Sequence, residues 1–223
     1  MHHVKLREYQ EQAIEMVRYE FSRGRKKVLL VAPTGAGKTV IASAMIKASQ
    51  DKSNASLFVA HRRELVKQCS QKLTDFGVSH GVVMADYSPN NLANVQVASL
   101  QTYTARKDNH HFWKPNAKVI FLDEAHRSVS KTFQDLVQEY PDAFIIGLTA
   151  TPCRADGKGL GNYYDALVNC GTIADLTEKG FLTPARILAP SMPDLKGLKM
   201  QGGDYEKRGL NTRMNQPKLV GDL

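Results

Sequence analysis

The sequence is poor in residues that staple or anchor a chain. It has three cysteines in 223 residues, Cys69, Cys153 and Cys170. They are far apart and form no CxxC pair, so neither a zinc site nor a disulfide framework is suggested. Free thiols in a reducing cytoplasm are the expectation. No apolar run approaches the about 18 residues of a membrane helix, so no membrane partner is expected. The opening "MHHVKLREYQ" has no signal-peptide core, and His2 and His3 decide nothing. No internal repeat or low-complexity tract is visible. Acidic residues are outnumbered, 22 against 30 Lys and Arg, leaving a formal charge of +8. That excess suits an anionic partner, nucleic acid being the commonest, although a lysine-rich soluble surface would give the same number. The 42% hydrophobic content supports a real core, and 23% charged residues is ordinary. The length fits one large domain or one and a half small ones.

Periodicity alternates between two kinds. Leu6, Tyr9, Ala13, Val17 and Phe21 recur at three- and four-residue spacing, which predicts an amphipathic helix over 6–21. "KVLLVA" (27–32) is a short apolar run ended by a turn, a buried strand. Helices are expected over 38–49, over 65–76 on the face Leu65, Cys69, Leu73 and Phe76, and around Phe133, Leu136, Val137 and Tyr140. Further strands are expected at 56–60, 95–99, 118–122 and 143–148. Strands alternating with helices predict an α/β fold, a mostly parallel sheet with helices on both faces. Such sheets bind ligands at the carboxyl ends of their strands. Polar motifs follow residues 32, 122 and 148, which would gather them into one site. "TIADLTEKG" (172–180) predicts a short helix with Thr172 as cap, Asp175 completing a capping box and Gly180 at its end. "ARILA" (185–189) is a candidate last strand, and "GGDYEKRG" reads as a flexible connection.

"APTGAGKT" (32–39) has the form of a phosphate-binding loop, with Ala32 where the strict pattern has its first Gly. Gly35 and Gly37 let the backbone turn tightly, so that N–H groups of Pro33–Lys38, proline excepted, point inward at phosphate oxygens. Pro33, Thr34 and Ala36 complete the loop, and the next helix adds its positive N-terminal end. Lys38 would reach the outer phosphates and Thr39 would offer a hydroxyl to Mg²⁺. "VIFLDEAH" then places Asp123 and Glu124 just past a buried strand. Asp123 can hold Mg²⁺, in part through water. Glu124 can orient and deprotonate an attacking water. Alone, such a pair would more simply cap a helix; beside a phosphate loop it reads as hydrolytic machinery.

"DEAH" (123–126) together with "APTGAGKT" resembles the first RecA-like domain of a superfamily-two DEAH-box helicase or translocase. The other motifs occur in that family's order. "LREYQ" (6–10) is similar to the adenine-recognising motif, with Glu8 where many relatives have Pro. The resemblance implies that Arg7 and Gln10 bind the cofactor ATP; a Gln amide can pair with both N6 and N7 of adenine. "VAHRREL" (59–65) and "ASLQT" (98–102) resemble nucleic-acid-contacting motifs. "TATP" (149–152) resembles the motif that couples the nucleotide site to the nucleic-acid track, which gives Thr149 and Thr151 a coupling role; for His126, following Asp-Glu-Ala, the resemblance implies a relay between the nucleotide site and the partner domain. The resemblance covers residues 6 to about 152, and the tail is similar to the bacterial and phage RadD-like branch. It implies a P-loop ATPase that moves along DNA, in repair or phage DNA metabolism, using ATP and Mg²⁺.

Arg62 and Arg63 fall at a helix start, where free N–H groups also favour anions. Ser99, Gln101 and Thr102 supply hydroxyl and amide donors. None of these implies base reading, so sequence-independent, salt-sensitive binding is expected, with DNA favoured over RNA only by the resemblance. By themselves Arg62 and Arg63 equally suit a solvated helix face, paired with Glu64 or Asp75. Tyr163 and Tyr164 could stack on a base, but core or surface positions are the simpler expectation.

One family element is missing. Residues 153–223 contain no Gln-x-x-Gly-Arg-x-x-Arg motif, the source of the arginine finger in such motors. The expectation is therefore half a motor: a first RecA-like domain over 1–190, then an extension (191–223) leading to a second RecA-like domain. On its own it should bind ATP–Mg²⁺ weakly and hydrolyse almost none. Two alternatives remain open: the motor of a restriction-type nuclease, and a non-hydrolysing nucleotide-gated clamp.

Overall fold

The computed structural model describes residues 5–88, 90–107, 109, 113–127, 130–153, 157–184, 195–198, 200–201 and 204–214. Its contacts divide the chain into two units, Met1–Leu182 and Thr183–Leu223.

The first unit is built on seven strands: β1 (Lys27–Val31), β2 (Ser56–Ala60), β3 (Gly81–Val83), β4 (Val95–Ser99), β5 (Val119–Asp123), β6 (Phe144–Thr149) and β7 (Ala166–Asn169). They lie in the order β3-β4-β2-β5-β6-β1-β7, and every pairing is parallel. The helices are α1 (Glu8–Ser22), α2 (Lys38–Gln50), α3 (Arg63–Asp75), α4 (Leu100–Arg106), α5 (Lys131–Gln138) and α6 (Ile173–Glu178), with a 3₁₀ turn at Ala125–Arg127. The period of two sorts each strand's side chains between two cores. Val28 and Leu30 of β1 and Phe58 and Ala60 of β2 face α1, α2, α3 and α6. Leu29, Val31, Leu57 and Val59 face α4 and α5. The sheet is therefore covered on both faces, which explains why its strands read as continuous apolar runs.

Three differences from the sequence reading have physical causes. β3 is only three residues long and opens on a glycine, so it carries no pattern. β7 is an edge strand with only Val168 fully buried, and Leu167 is exposed. Within the expected flexible connection (202–209) lie β9 (Asp204–Tyr205), paired antiparallel with β8 (Met200–Gln201) just before it, and the start of α7 (Lys207–Met214). In this second unit Gly209 comes so close to Leu198 that a Cβ would meet its Cδ2 at 2.7 Å. The strand expected at 185–189 lies outside the described residues. Tyr164 is buried where Gly147 of β6 leaves room for its ring, a core position.

Candidate functional site

The three strands β5, β6 and β1 are neighbours, and their carboxyl ends carry three of the sequence motifs. The phosphate loop leaves β1 and is pinned to β6, the Ala32 amide donating to the Thr149 carbonyl at 2.9 Å. Gly35 and Gly37 both have left-handed backbone, φ +85° and +82°. At Gly37 glycine is required twice over: the conformation strains any Cβ, and a Cβ would meet Gln10 Nε2 at 2.6 Å. Pro33 and Ala36 are buried, Thr34 and Gly35 exposed, and Lys38 and Thr39 half-buried at the start of α2. Lys38 Nζ donates to the Ala32 carbonyl at 3.3 Å, within the loop it would serve.

From the other side α1 holds the loop. Tyr9 Oη and Gln10 Nε2 both donate to the Ala36 carbonyl, each at 2.9 Å. Gln10 Oε1 accepts from the Arg7 amide at 3.0 Å, which also satisfies a free N–H at the helix start. The Gln10 amide is buried, with Nε2 bonded to the loop and Oε1 to the start of α1. Tyr9 was not a predicted site residue. A tyrosine at an apolar helical position is read as core, and its hydroxyl contact is invisible in sequence.

Asp123 is the last residue of β5 and is buried. Burial pushes its carboxyl up to about 6, helped by the Glu124 charge and opposed by the Glu124 amide, Lys38 and His126. The Glu124 amide donates to Asp123 Oδ1 at 3.0 Å. Glu124 has φ +54°, a left-handed conformation costly for a side-chain-bearing residue and concentrated at functional sites. It turns the chain sharply off the strand end into the 3₁₀ turn. His126 Nδ1 lies 3.2 Å from Glu124 Oε2 and 3.3 Å from Thr149 Oγ1. Thr149 Oγ1 donates to the Thr151 carbonyl at 2.8 Å and accepts from the Thr151 amide at 3.1 Å. Its one proton is thus committed, and a carboxylate can only accept, so the proton on His126 sits on Nδ1. The bridge Glu124–His126–Thr149–Thr151 spans from β5 to the end of β6.

An oxygen donor set of the Thr39 hydroxyl and the Asp123 carboxylate suits Mg²⁺, which takes one or two protein carboxylates and leaves other positions to water and phosphates. Among the described residues no cluster of three or more His, Cys, Asp or Glu could hold a metal by itself.

The predicted nucleic-acid residues sit at the ends of β2, which adjoins β5, and of β4, the next strand out. Arg62 is the N-cap of α3, and Arg63 is its first residue. Both are exposed, and Arg63 pairs with Asp86, not with Glu64 or Asp75. Asp75 pairs with Lys72 at 2.9 Å. Ser99 is buried at the N-cap of α4 without a side-chain cap bond, while Gln101 is exposed and Thr102 half-buried. A hollow of about 250 Å³ is lined by Arg62, His61, Leu65, Glu124, His126 and Arg127. A larger, mostly apolar one of about 740 Å³ lies between α4 and α5 and shares His61 and Arg127 with it. The two sets of candidate residues therefore meet at Arg62 and Glu124.

Residues 3–154 match the family described as "Type III restriction enzyme, res subunit". The chain belongs to that family. Its similarity extends to a 51.5 kDa protein of a Lactococcus phage (isolate 7-9), 29% identical over 195 residues, 87% of this chain and 39% of that protein. The Type I restriction enzyme EcoAI endonuclease subunit of Escherichia coli is 30% identical over 216 residues, 91% of this chain and 26% of that subunit. Among solved structures, the Pyrococcus furiosus Hef helicase domain superposes with a TM-score of 0.60 at 25% identity, covering 74% of this chain and 37% of that one. The fold is thus the RecA-like domain of superfamily-two helicases. The chain spans about a third of the length of the curated relatives it matches.

Proposed function

We propose that this chain is the ATP-binding half of an ATP-dependent DNA helicase or translocase of the DEAH type, close to the RadD-like branch, acting in DNA repair or phage DNA metabolism. The observation that carries the reading is the continuous bonded path from the phosphate loop through Thr149 and His126 to Glu124, at three adjacent strand ends.

In this reading the loop amides and Lys38 hold the phosphates, and Arg7 and Gln10 face the adenine. Thr39 and Asp123 hold Mg²⁺, which when bound neutralises charge on the β- and γ-phosphates. Glu124 orients the attacking water and takes its proton as the water oxygen bonds to the γ-phosphorus and the bond to ADP breaks. His126, bonded to both Glu124 and Thr149, fixes the carboxylate and reports its state to the end of β6. Arg62, Arg63, Ser99, Gln101 and Thr102 contact a nucleic-acid backbone without reading bases. A second RecA-like domain supplies the arginine finger, which contributes on the order of a thousandfold or more to turnover. The reading ends the first domain at about residue 190; the first packed unit runs to Leu182. A cytoplasmic site of action fits; among the described residues no helix is long and apolar enough to cross a membrane.

The test is steady-state ATP hydrolysis by residues 1–223, with and without single-stranded and duplex DNA, beside Lys38→Ala and Glu124→Gln. Nucleotide binding that Lys38→Ala abolishes, with negligible turnover, supports the half-motor. DNA-stimulated turnover removed by both substitutions would mean that the chain completes its own site. The family's restriction-enzyme description favours a second reading, a translocating motor that serves a nuclease. Strand displacement by the full-length protein separates them: unwinding supports the helicase, and DNA-stimulated ATP use without unwinding supports the restriction-type motor.

A further inference from the structure

The turn after α6 lies outside the matched family region and outside every motif used above. It nonetheless reaches the nucleotide site. The Thr172–Asp175 capping box starts α6, and Gly180, φ +73°, reverses the chain at its end. The amides of Phe181 and Leu182 then both donate to the Leu176 carbonyl, at 2.8 and 3.0 Å. These bonds fix the two side chains against the phosphate loop and the start of α1. Leu182 Cδ2 stands 3.1 Å from where a Cβ on Gly35 would be. The Phe181 ring packs against Tyr9, centroids 4.9 Å apart, and Tyr9 is the residue whose hydroxyl holds the Ala36 carbonyl. Arg7 is held twice by the same residue. Its Nη1 donates to the Phe181 carbonyl at 3.0 Å, and its guanidinium lies over the Phe181 ring, 5.5 Å from the centroid.

An arginine side chain left in water loses rotamer freedom when it binds anything. Here that loss is already met: the carbonyl and the ring together hold the guanidinium, which also reaches Tyr9 Oη at 3.3 Å. Phe181 and Leu182 remain half-exposed, so the turn is a surface a ligand can touch. We infer that Phe181 is a positioning residue for the nucleoside part of the nucleotide, acting through Arg7. The inference rests on the nucleotide-binding reading. It also places a nucleotide-sensitive contact immediately before Thr183, where the chain passes into its second unit.

The experiment compares Mg-ATP and tripolyphosphate binding by calorimetry on the 223-residue chain. Tripolyphosphate uses the loop alone, whereas ATP also uses the nucleoside side. Phe181→Ala is expected to weaken ATP about three- to tenfold, the range of a partly desolvated cation–π contact, and to leave tripolyphosphate unchanged. Phe181→Tyr keeps ring and carbonyl and should restore wild-type affinity. Unchanged ATP affinity in Phe181→Ala, or an equal loss for both ligands, overturns the inference. If Phe181→Ala does not fold, Phe181→Leu carries the test, since it retains apolar packing on Tyr9 and loses only the ring beneath the guanidinium. Lys38→Ala must weaken both ligands. A wild-type chain that binds neither would remove the nucleotide reading itself, a different outcome from failure of Phe181.

Discussion

Five neighbouring strand ends, in the order β4, β2, β5, β6, β1, carry all the candidate motifs of the sheet, and they divide into two unlike regions. On β5, β6 and β1 the polar groups bond to one another: Ala32 to Thr149, Thr149 to His126, His126 to Glu124, Glu124 to Asp123. On β4 and β2 they do not. Arg63 reaches Asp86, while Arg62 and Gln101 point outward and make no side-chain bond among the described residues. The difference follows from the ligands. Hydrolysis needs reacting groups held within a fraction of an ångström, and that precision comes from a supporting shell. A track for a phosphodiester backbone needs exposed donors at tolerant spacing, and leaving them in water costs little. The contrast is the one the proposed function predicts, a pre-organised reaction site beside an exposed binding face.

The largest effect that could break this contrast is on turnover. In the full-length protein Glu124→Gln is expected to keep ATP binding and to lower kcat by about 10²- to 10⁴-fold, the range for a general base. Arg62→Ala should leave kcat at saturating DNA nearly unchanged. Similar losses in the two variants, measured by steady-state ATPase at saturating DNA, would mean that the regions are not functionally distinct. Next in size is stability. Thr149 is fully buried and serves His126 and Thr151 together. Thr149→Val keeps the shape but leaves those partners short of a bond, and should cost about 1–3 kcal/mol in a urea titration. The same exchange at Thr102, half-buried on the binding face, should cost under about 0.5 kcal/mol.

The same contrast explains what was legible beforehand. β1, β2, β4, β5 and β6 are buried on both sides, so their apolar runs announced them. β7, which buries only Val168 fully, left no such mark. The phosphate loop was legible because its physics is local: two glycines, a lysine and a hydroxyl must be adjacent in sequence to be adjacent in space. Asp123, Glu124 and Thr149 were expected just past strand ends; Asp123 and Thr149 are instead the last residues of β5 and β6, and only Glu124 lies beyond its strand. What could not be read was anything held by distant partners. Tyr9 on Ala36, Phe181 under Arg7 and Arg63 on Asp86 depend on which elements the fold brings together. The left-handed backbone of Glu124 was equally invisible, since no glycine or asparagine signalled it.

A smaller effect sharpens the binding side. Arg62→Ala should weaken DNA binding about equally for all sequences and lower the salt slope by about one counterion. Arg63→Ala should do less, because its guanidinium is already engaged by Asp86. Asp86→Asn removes that competitor and should raise DNA affinity. Fluorescence anisotropy between 50 and 200 mM salt, on the order used for such slopes, checks all three. A larger loss for Arg63→Ala than for Arg62→Ala would show that the Asp86 pair opens on binding.

The smallest effect separates two carboxylates, one from each side. Asp175 is held below the usual carboxylate range by the Thr172 hydroxyl and amide, and Asp86 by Arg63. Both pKa values are depressed on folding, so in the titration window the unfolded chain binds more protons and stability rises with pH. Each contribution is fully present above the unfolded value, about 3.9, and is lost as pH falls through the lower folded value. The stability difference between wild type and Asp175→Asn, or Asp86→Asn, should therefore shrink as pH falls below the unfolded value, about 3.9. Salt distinguishes them. The Asp86–Arg63 pair is an exposed ion pair and its contribution should fade in about 1 M NaCl. The Asp175 cap bonds a hydroxyl and a backbone amide, and should persist. If the Asp175 difference fades equally in salt, the cap is not holding its carboxylate in solution, and α6 would be a weaker base for the turn that touches the phosphate loop.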